Sequence, residues 1–302
     1  MISYFFFRAF SALFSIIPLQ ALYPFSNFLR FIFHDVIGYR KKVVLANLRN
    51  SFPEKSEKEL RKIARDFYLN LCDIVIESLK LPSINKKELM VRVKFNNFEQ
   101  IERYKKENRN IIALVGHCNN WEMGAVGLAC YLEGKYQLYG AYTPLHNQRF
   151  DRWFRKSRER TGTKMIPSKE TMDFILQNQS PPYVLGLIAD QSPRKDSTNN
   201  FIRTFLNQPT LFYTGGERLA MKTGDAVIYF GVHRKGRGKY AVDIIEISYQ
   251  PLQTKAEEIT LKYIELLEQQ IREEPYTWLW SHRRWKHKVT LNPVIQNEVK
   301  NP

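Results

Sequence analysis

A chain of 302 residues, 44% of them hydrophobic, can close a substantial core in one large domain or two ordinary ones, which excludes a disordered or low-complexity protein. Lys and Arg number 46 against 30 Asp and Glu, and the net charge of +16 calls for an anionic partner: nucleic acid, anionic lipid headgroups, or an acidic or phosphorylated carrier. The 3 cysteines, Cys72, Cys118 and Cys130, leave an odd count without metal-ligand spacing, so they read as reduced thiols, and no catalytic metal is expected.

From Ala9 to Leu29 there is no charged residue, and Phe31-Ile32-Phe33 follows directly after Arg30. The length approaches that of a bilayer-crossing helix. Pro18 and Pro24 lie inside it, however, and each prolyl ring kinks or divides a helix. Only Arg8 precedes the apolar stretch and no small-residue cleavage site follows it, so a signal peptide is not expected. A buried, interrupted helical hairpin is the alternative. The continuous aromatic character favours residues 1–35 as a segment associated with, or shallowly inserted in, a membrane. Arg40, Lys41, Lys42 and Arg49 come next, which places the following domain, residues 36–302, on the cytoplasmic side.

Ser56 to Leu81 repeats apolar residues at helical spacing until Pro82 ends the run. Ile111 to Val115 is a short unbroken apolar run and predicts a buried, parallel strand, after which Gly116 to Trp121 turns into a second helical pattern. Tyr136 to Tyr142 and Tyr183 to Ile188 predict further strands, with a basic helix from Arg149 to Arg160 between them. A short helix follows from Gly215 to Lys222. Strands then run from Ala226 to Val232 and from Lys239 to Ile247 around a Gly-rich turn, and an amphipathic helix closes the series from Ala256 to Glu273. Alternating strands and helices predict an α/β fold with a central, mostly parallel sheet flanked by helices.

Gly116-His117-Cys118-Asn119-Asn120-Trp121-Glu122 sits where a predicted strand gives way to a helix, the end of an open α/β sheet at which reactive groups gather. A His oriented by a carboxylate is a general base near neutral pH. On one continuous helix, residues five apart point about 140° away from each other, so His117 must precede the helix and Glu122 lie in its first turn for the pair to meet. A second reading stays open. Asn119 followed by Glu122 is also a capping-box pattern, in which the carboxylate merely reaches back to the cap amide.

Three further segments bear on the choice. Tyr142 to Arg149, with Asn147, leads into Arg149, Arg152, Arg155 and Arg158, a basic row suited to phosphate contacts or to simple solvation. Asp190-Gln191 follows the strand Tyr183 to Ile188. Trp278-Leu279-Trp280-Ser281-His282-Arg283-Arg284-Trp285-Lys286 interleaves indoles with arginines, which suits a membrane interface or nucleic acid.

Taken in order, these segments resemble the late (lauroyl/myristoyl) acyltransferases of lipid A biosynthesis. The likeness runs over nearly the whole chain: Val36 to Glu54, the His-x4-Glu pair at His117 and Glu122, the Asn147 to Arg158 region, Asp190-Gln191 and the terminal Trp-Ser-His-Arg-Arg-Trp-Lys. The resemblance implies a glycerol-3-phosphate acyltransferase-like sheet fold with N-terminal membrane-associated helices, on the cytoplasmic face of the inner membrane. It also implies a thioester donor, typically acyl carrier protein, and no further cofactor. His117 would be the base and Glu122 its partner. Arg158 and Arg149 would hold the acceptor or steady developing charge, Asp190 would line the site, and Asn147, Gln191, Arg283 and Arg284 would complete the substrate contacts. Relatives of this branch acylate other lipids too, so the acceptor is a lipid A precursor or another membrane lipid. A non-enzymatic basic protein of a membrane surface or of nucleic acid is the remaining alternative.

Overall fold

The computed structural model of the protein describes residues 2–179, 182–193, 200–287 and 289. The N-terminal part is helical: α1 (Ile2–Ile16), α2 (Leu19–Arg30), α3 (Lys41–Ser51), α4 (Glu57–Lys80) and α5 (Lys86–Arg92). Strands and helices then alternate through β1 (Val93–Asn96), α6 (Glu99–Lys106), β2 (Ile111–Val115), α7 (Trp121–Leu132), β3 (Gln137–Tyr142), α8 (Gln148–Glu159) and β4 (Thr163–Pro167). There follow α9 (Thr171–Gln177), β5 (Tyr183–Ile188), the pair β6 (Asn200–Phe205) and β7 (Gln208–Tyr213), α10 (Gly215–Thr223), β8 (Ala226–Gly236), β9 (Lys239–Ser248) and α11 (Glu258–Glu273).

Seven strands form one sheet in the order β1-β9-β8-β2-β5-β3-β4, in which only β8 and β9 run antiparallel. β6 and β7 make a separate antiparallel pair. The expected mostly parallel α/β sheet is therefore present, and β2 lies at its centre. Side chains alternate across a strand. Accordingly Ile112 and Leu114 enter the core shared with α3, α4, α10 and α11, while Ile111, Ala113 and Val115 enter the core shared with α5, α6 and α7. Burial on both faces is why this strand reads as an unbroken apolar run.

The predicted strand Tyr183 to Ile188 is β5, and the predicted long helix is α4, whose start is fixed by a reciprocal cap between Ser56 and Glu59. Short elements escaped the sequence pattern. β4 and β1 are the edge strands, of 5 and 4 residues, and carry too little periodicity to register.

The N-terminal segment is neither a single spanning helix nor a fully buried hairpin. Pro18 divides it, whereas Pro24 stays inside α2. α1 has 15 residues, about 22 Å at helical rise, short of a hydrocarbon core of about 30 Å. No helix among the described residues is long and apolar enough to cross a membrane. One side of the pair buries Phe14, Leu19, Leu22 and Tyr23 against Ile76 of α4. The other exposes Phe5, Phe6, Phe10, Leu13, Ile16 and Phe28. Asp73 of α4, fully buried, accepts from Ser26 at 2.6 Å and pairs with Arg234 and Arg237 at 2.5 and 2.6 Å, so α2 is bonded to the sheet domain as well as packed on it.

α7 approaches the sheet closely through Gly127, where an added Cβ would stand 2.9 Å from Val93 Cβ on β1. Gly127→Ala gains about 1 kcal/mol of helix propensity but overpacks a rigid β-branched neighbour. The expected net effect is a loss of about 1–2 kcal/mol in urea unfolding; a more stable variant would show that α7 stands off the sheet.

Candidate active site

The register of two strands assembles the site. β2 and β5 are parallel neighbours with Val115 beside Ile188. Two residues past that pair the chains reach His117 and Asp190, so the two side chains emerge together at the carboxyl ends of adjacent strands. His117 Nδ1 lies 2.6 Å from Asp190 Oδ1, and the His117 backbone N–H donates to Oδ2 at 2.8 Å. The indole N–H of Trp278 donates to the same Oδ2 at 2.7 Å. Asp190 is only 2% exposed, and burial by itself pushes its carboxyl up. The His117 ring, its backbone amide and the Trp278 indole outweigh that and hold it at about 2. The ionised carboxylate can only accept, so Nδ1 of the ring is the donor to it, and Nε2 is directed away from Asp190. Nε2 faces the side-chain amide of Gln191 at 3.2 Å, and the edge of Trp121 lies 4.7 Å away, ring centre to ring centre.

The loop between β2 and α7 is clamped from several sides. Gly116 lies close against α11, since a Cβ there would stand 2.5 Å from the Leu267 side-chain tip, which would have to shift. Cys118 bridges to Trp278, and the Asn119 amide donates to Thr277 O at 3.0 Å. Asn119 takes a left-handed conformation with φ 51°. Its side chain is buried and donates to Val232 O at 2.7 Å and to Glu274 Oε2 at 3.2 Å.

This arrangement corrects the capping-box reading. The N-cap of α7 is Asn120, whose Oδ1 accepts from Met123 N at 2.9 Å, so Glu122 is the second helical residue and not the reciprocal partner of a cap. The expected sequence placement does hold, with His117 before the helix and Glu122 in its first turn. The expected contact between them is not formed. Both ring nitrogens of His117 have other partners, and the Glu122 carboxylate is held by both nitrogens of one guanidinium edge, Arg158 Nε at 2.8 Å and Nη2 at 2.5 Å. Register explains the difference: β5 delivers Asp190 to the Nδ1 edge of the ring, whereas Glu122 leaves the loop on the helix and meets the last turn of α8.

The arginine row is thus divided in its contacts. Arg158 is bonded to Glu122 at the start of α7; burial lowers its guanidinium but the bonds to Glu122 outweigh this and raise it. Arg155 pairs loosely with Glu159 at 3.8 Å, while Arg149 and Arg152 are exposed. Asn147 caps α8, accepting from Arg149 N at 3.1 Å, so it shapes the helix start.

The Trp/Arg tail is core and not an interfacial belt. Trp278 and Trp280 are 2% and 0% exposed. Arg284 is buried, lies 4.5 Å over the Phe212 ring and donates to Leu211 O, and burial pulls its guanidinium down to about 10. Only Arg283 of that pair faces outward. Burial also pushes the neighbouring His282 ring down to about 4, which leaves it uncharged at neutral pH. The tail is tied to α3, since Asn47 donates to Trp280 O at 2.9 Å and to His282 O at 3.1 Å, and Arg40 donates to Ser281 O at 2.9 Å. Sequence reasoning therefore missed Trp278 as a donor to Asp190. Its only signal was recurrence of Trp beside Arg, which suits an interface equally well.

The family model of the bacterial lipid A biosynthesis acyltransferases matches residues 1–287. A lipid A biosynthesis lauroyltransferase of Escherichia coli is 25% identical over 250 residues, 82% of this chain and 79% of that protein. A lipid A biosynthesis acyltransferase of Haemophilus influenzae is 28% identical over 119 residues, 39% of this chain and about a third (36%) of that protein's length.

A carboxyl held below its ordinary value stabilises the fold at pH above its unfolded pKa and loses that contribution as pH falls through the folded one. For Asp190 the window runs from about pH 5 down to about pH 2, and the contribution is about 2 kcal/mol. The unfolding free energies of the wild type and Asp190→Asn should differ at neutral pH and converge by about that amount as pH falls through the window. A gap that stays constant with pH would show that the carboxylate charge is not what the three donors hold.

Proposed function

The chain belongs to the bacterial lipid A biosynthesis acyltransferase family, and from that premise we propose that it transfers a fatty acyl chain from a thioester donor to a hydroxyl of a lipid acceptor, a lipid A precursor. The observation that supports this reading is the His117 ring, with Nδ1 fixed to a buried carboxylate and Nε2 directed away from it. That is the arrangement a general base needs toward an acceptor hydroxyl.

In the proposed reaction, Nε2 removes the hydroxyl proton as the oxygen bonds to the thioester carbonyl carbon. The tetrahedral oxyanion collapses, the carbon–sulfur bond breaks, and the proton on Nε2 passes to the departing thiolate. The Gln191 amide, which meets Nε2 here, occupies the direction from which the hydroxyl approaches. Asp190 keeps the ring in the productive tautomer and stabilises its charged form. The amino end of α7 supplies partial positive charge for the oxyanion. Glu122 acts at this site through Arg158: it fixes a guanidinium where the acceptor's anionic group or the developing charge is met. No cofactor beyond the acyl thioester enters the scheme.

The same reading gives the partners. The charge of +16 suits an acidic acyl carrier protein as donor and an anionic lipid as acceptor. The exposed phenylalanines of α1 and α2, beside Arg8 and Arg30, suit a hairpin that lies in the cytoplasmic surface of the inner membrane without crossing it.

His117→Ala should cut acyl transfer from an acyl carrier protein thioester to a lipid A precursor by about 1,000-fold or more while the variant remains folded. Near-normal turnover would remove His117 from the reaction. Replacing both Phe6 and Phe10 by Ser should reduce sedimentation with phosphatidylglycerol vesicles by about tenfold or more, with the thermal midpoint unchanged because both side chains are exposed. Undiminished sedimentation would move the membrane contact elsewhere.

A further inference from the structure

Glu77 of α4 is fully buried and lies outside the His117–Asp190 pair, yet it is joined to the same loop. Its carboxylate accepts from three separate elements: Tyr23 Oη of α2 at 3.0 Å, Tyr240 Oη of β9 at 2.6 Å, and Asn120 Nδ2 at 2.7 Å. No cation is among these partners. Burial raises the carboxyl, and the bonds from Tyr240, Asn120 and Tyr23 oppose that rise. Asn120 is the cap of α7, with its nitrogen on Glu77 and its oxygen on Met123 N. A flipped amide would set its oxygen against the carboxylate, so Glu77 dictates which end of Asn120 meets the helix.

A second connection runs from the same hairpin. Phe7 of α1 packs against Phe150 and Trp153 of α8, with ring centres 4.9 and 4.8 Å apart, and the last turn of α8 carries Arg158 to Glu122. The helices that expose phenylalanines thus reach Glu122 from both directions: through Tyr23, Glu77 and Asn120 to the start of α7, and through Phe7 to α8.

We propose that Glu77 is a positioning residue, which ties the N-terminal hairpin to the cap of α7 and so couples seating of the hairpin on an anionic lipid surface to the placement of the Glu122–Arg158 pair at the start of α7. The proposal deepens the acyltransferase and membrane-surface reading and rests on it. Lipid contact then does more than hold the protein near its acceptor; it orders the loop that does the chemistry.

Hydrogen exchange with and without phosphatidylglycerol vesicles tests this, because it needs no turnover. In the wild type, vesicles should slow exchange of the amides of residues 121–124. Tyr23→Phe, which removes one hydroxyl, should still bind the vesicles but lose that slowing. Glu77→Leu should exchange faster at residues 121–124 in either condition and lower kcat by about tenfold to 100-fold with little change in KM, on a short-chain water-dispersed acceptor as on a vesicle-borne one. Glu77→Gln can accept from Asn120 and Tyr240 through its oxygen and donate to Tyr23 through its nitrogen, so it should restore most of kcat. Vesicle-bound wild type with unchanged exchange at residues 121–124, absence of vesicle binding, or a Glu77→Leu variant with wild-type exchange there would each overturn the proposal. Changes in exchange as expected, with no acyl transfer by the wild type on any acceptor, would sustain the coupling and overturn the reaction instead.

Discussion

A buried carboxylate is costly unless donors surround it, and Asp190 is the point at which this protein meets that requirement. Its two oxygens take the His117 ring, the His117 amide and the Trp278 indole, which come from the end of β2 and from the segment after α11. One interaction therefore fixes three things together: the tautomer of the His117 ring, the path of the loop leaving β2, and the return of the C-terminal tail across that loop. The tail is held in turn by α3, through Asn47, Arg40 and the packing of Phe52 on Trp280. Segments distant in sequence thus converge because each completes the hydrogen bonding of the next.

Around this anchored pair the charges divide by role. Arg158 is neutralised in part by Glu122, Arg284 is buried over an aromatic ring, and Arg234 and Arg237 answer Asp73 beneath α2. The exposed cations, Arg149, Arg152 and Arg283 among them, are left to form the protein's outward field. A large positive charge in the composition thus hides two kinds of arginine. Some are structural members of buried pairs, and some are available to an anionic partner.

The central strands were legible as continuous apolar runs: β2 is buried on both faces throughout, and β5 over its first half. The place of His117 before a helix was legible from the turn after Val115. Its carboxylate partner was not legible from spacing. Glu122 is the nearest acid along the chain, but the ring meets Asp190, 73 residues away, through a strand register that no local pattern encodes. The cap shifted by one residue for a related reason: Asn119 and Asn120 are equivalent as caps in sequence, and only the left-handed turn at Asn119 assigns the role to Asn120. The Trp/Arg tail misled because buried aromatic packing and a membrane interface draw on the same residue types. Prolines were the clearer guide at the N-terminus, where Pro18 divides the apolar stretch into two helices, neither of them long and apolar enough to span.

Which carboxylate works through His117 is decided by a double-mutant cycle on the acyl-transfer rate. If Asp190 acts by orienting the ring, Asp190→Asn should be severe in the wild type and nearly without further effect in a His117→Ala background, whereas Glu122→Gln should still cost activity there. The reverse pattern, with Glu122→Gln silent and Asp190→Asn additive in that background, would contradict the account and return the partnership to Glu122.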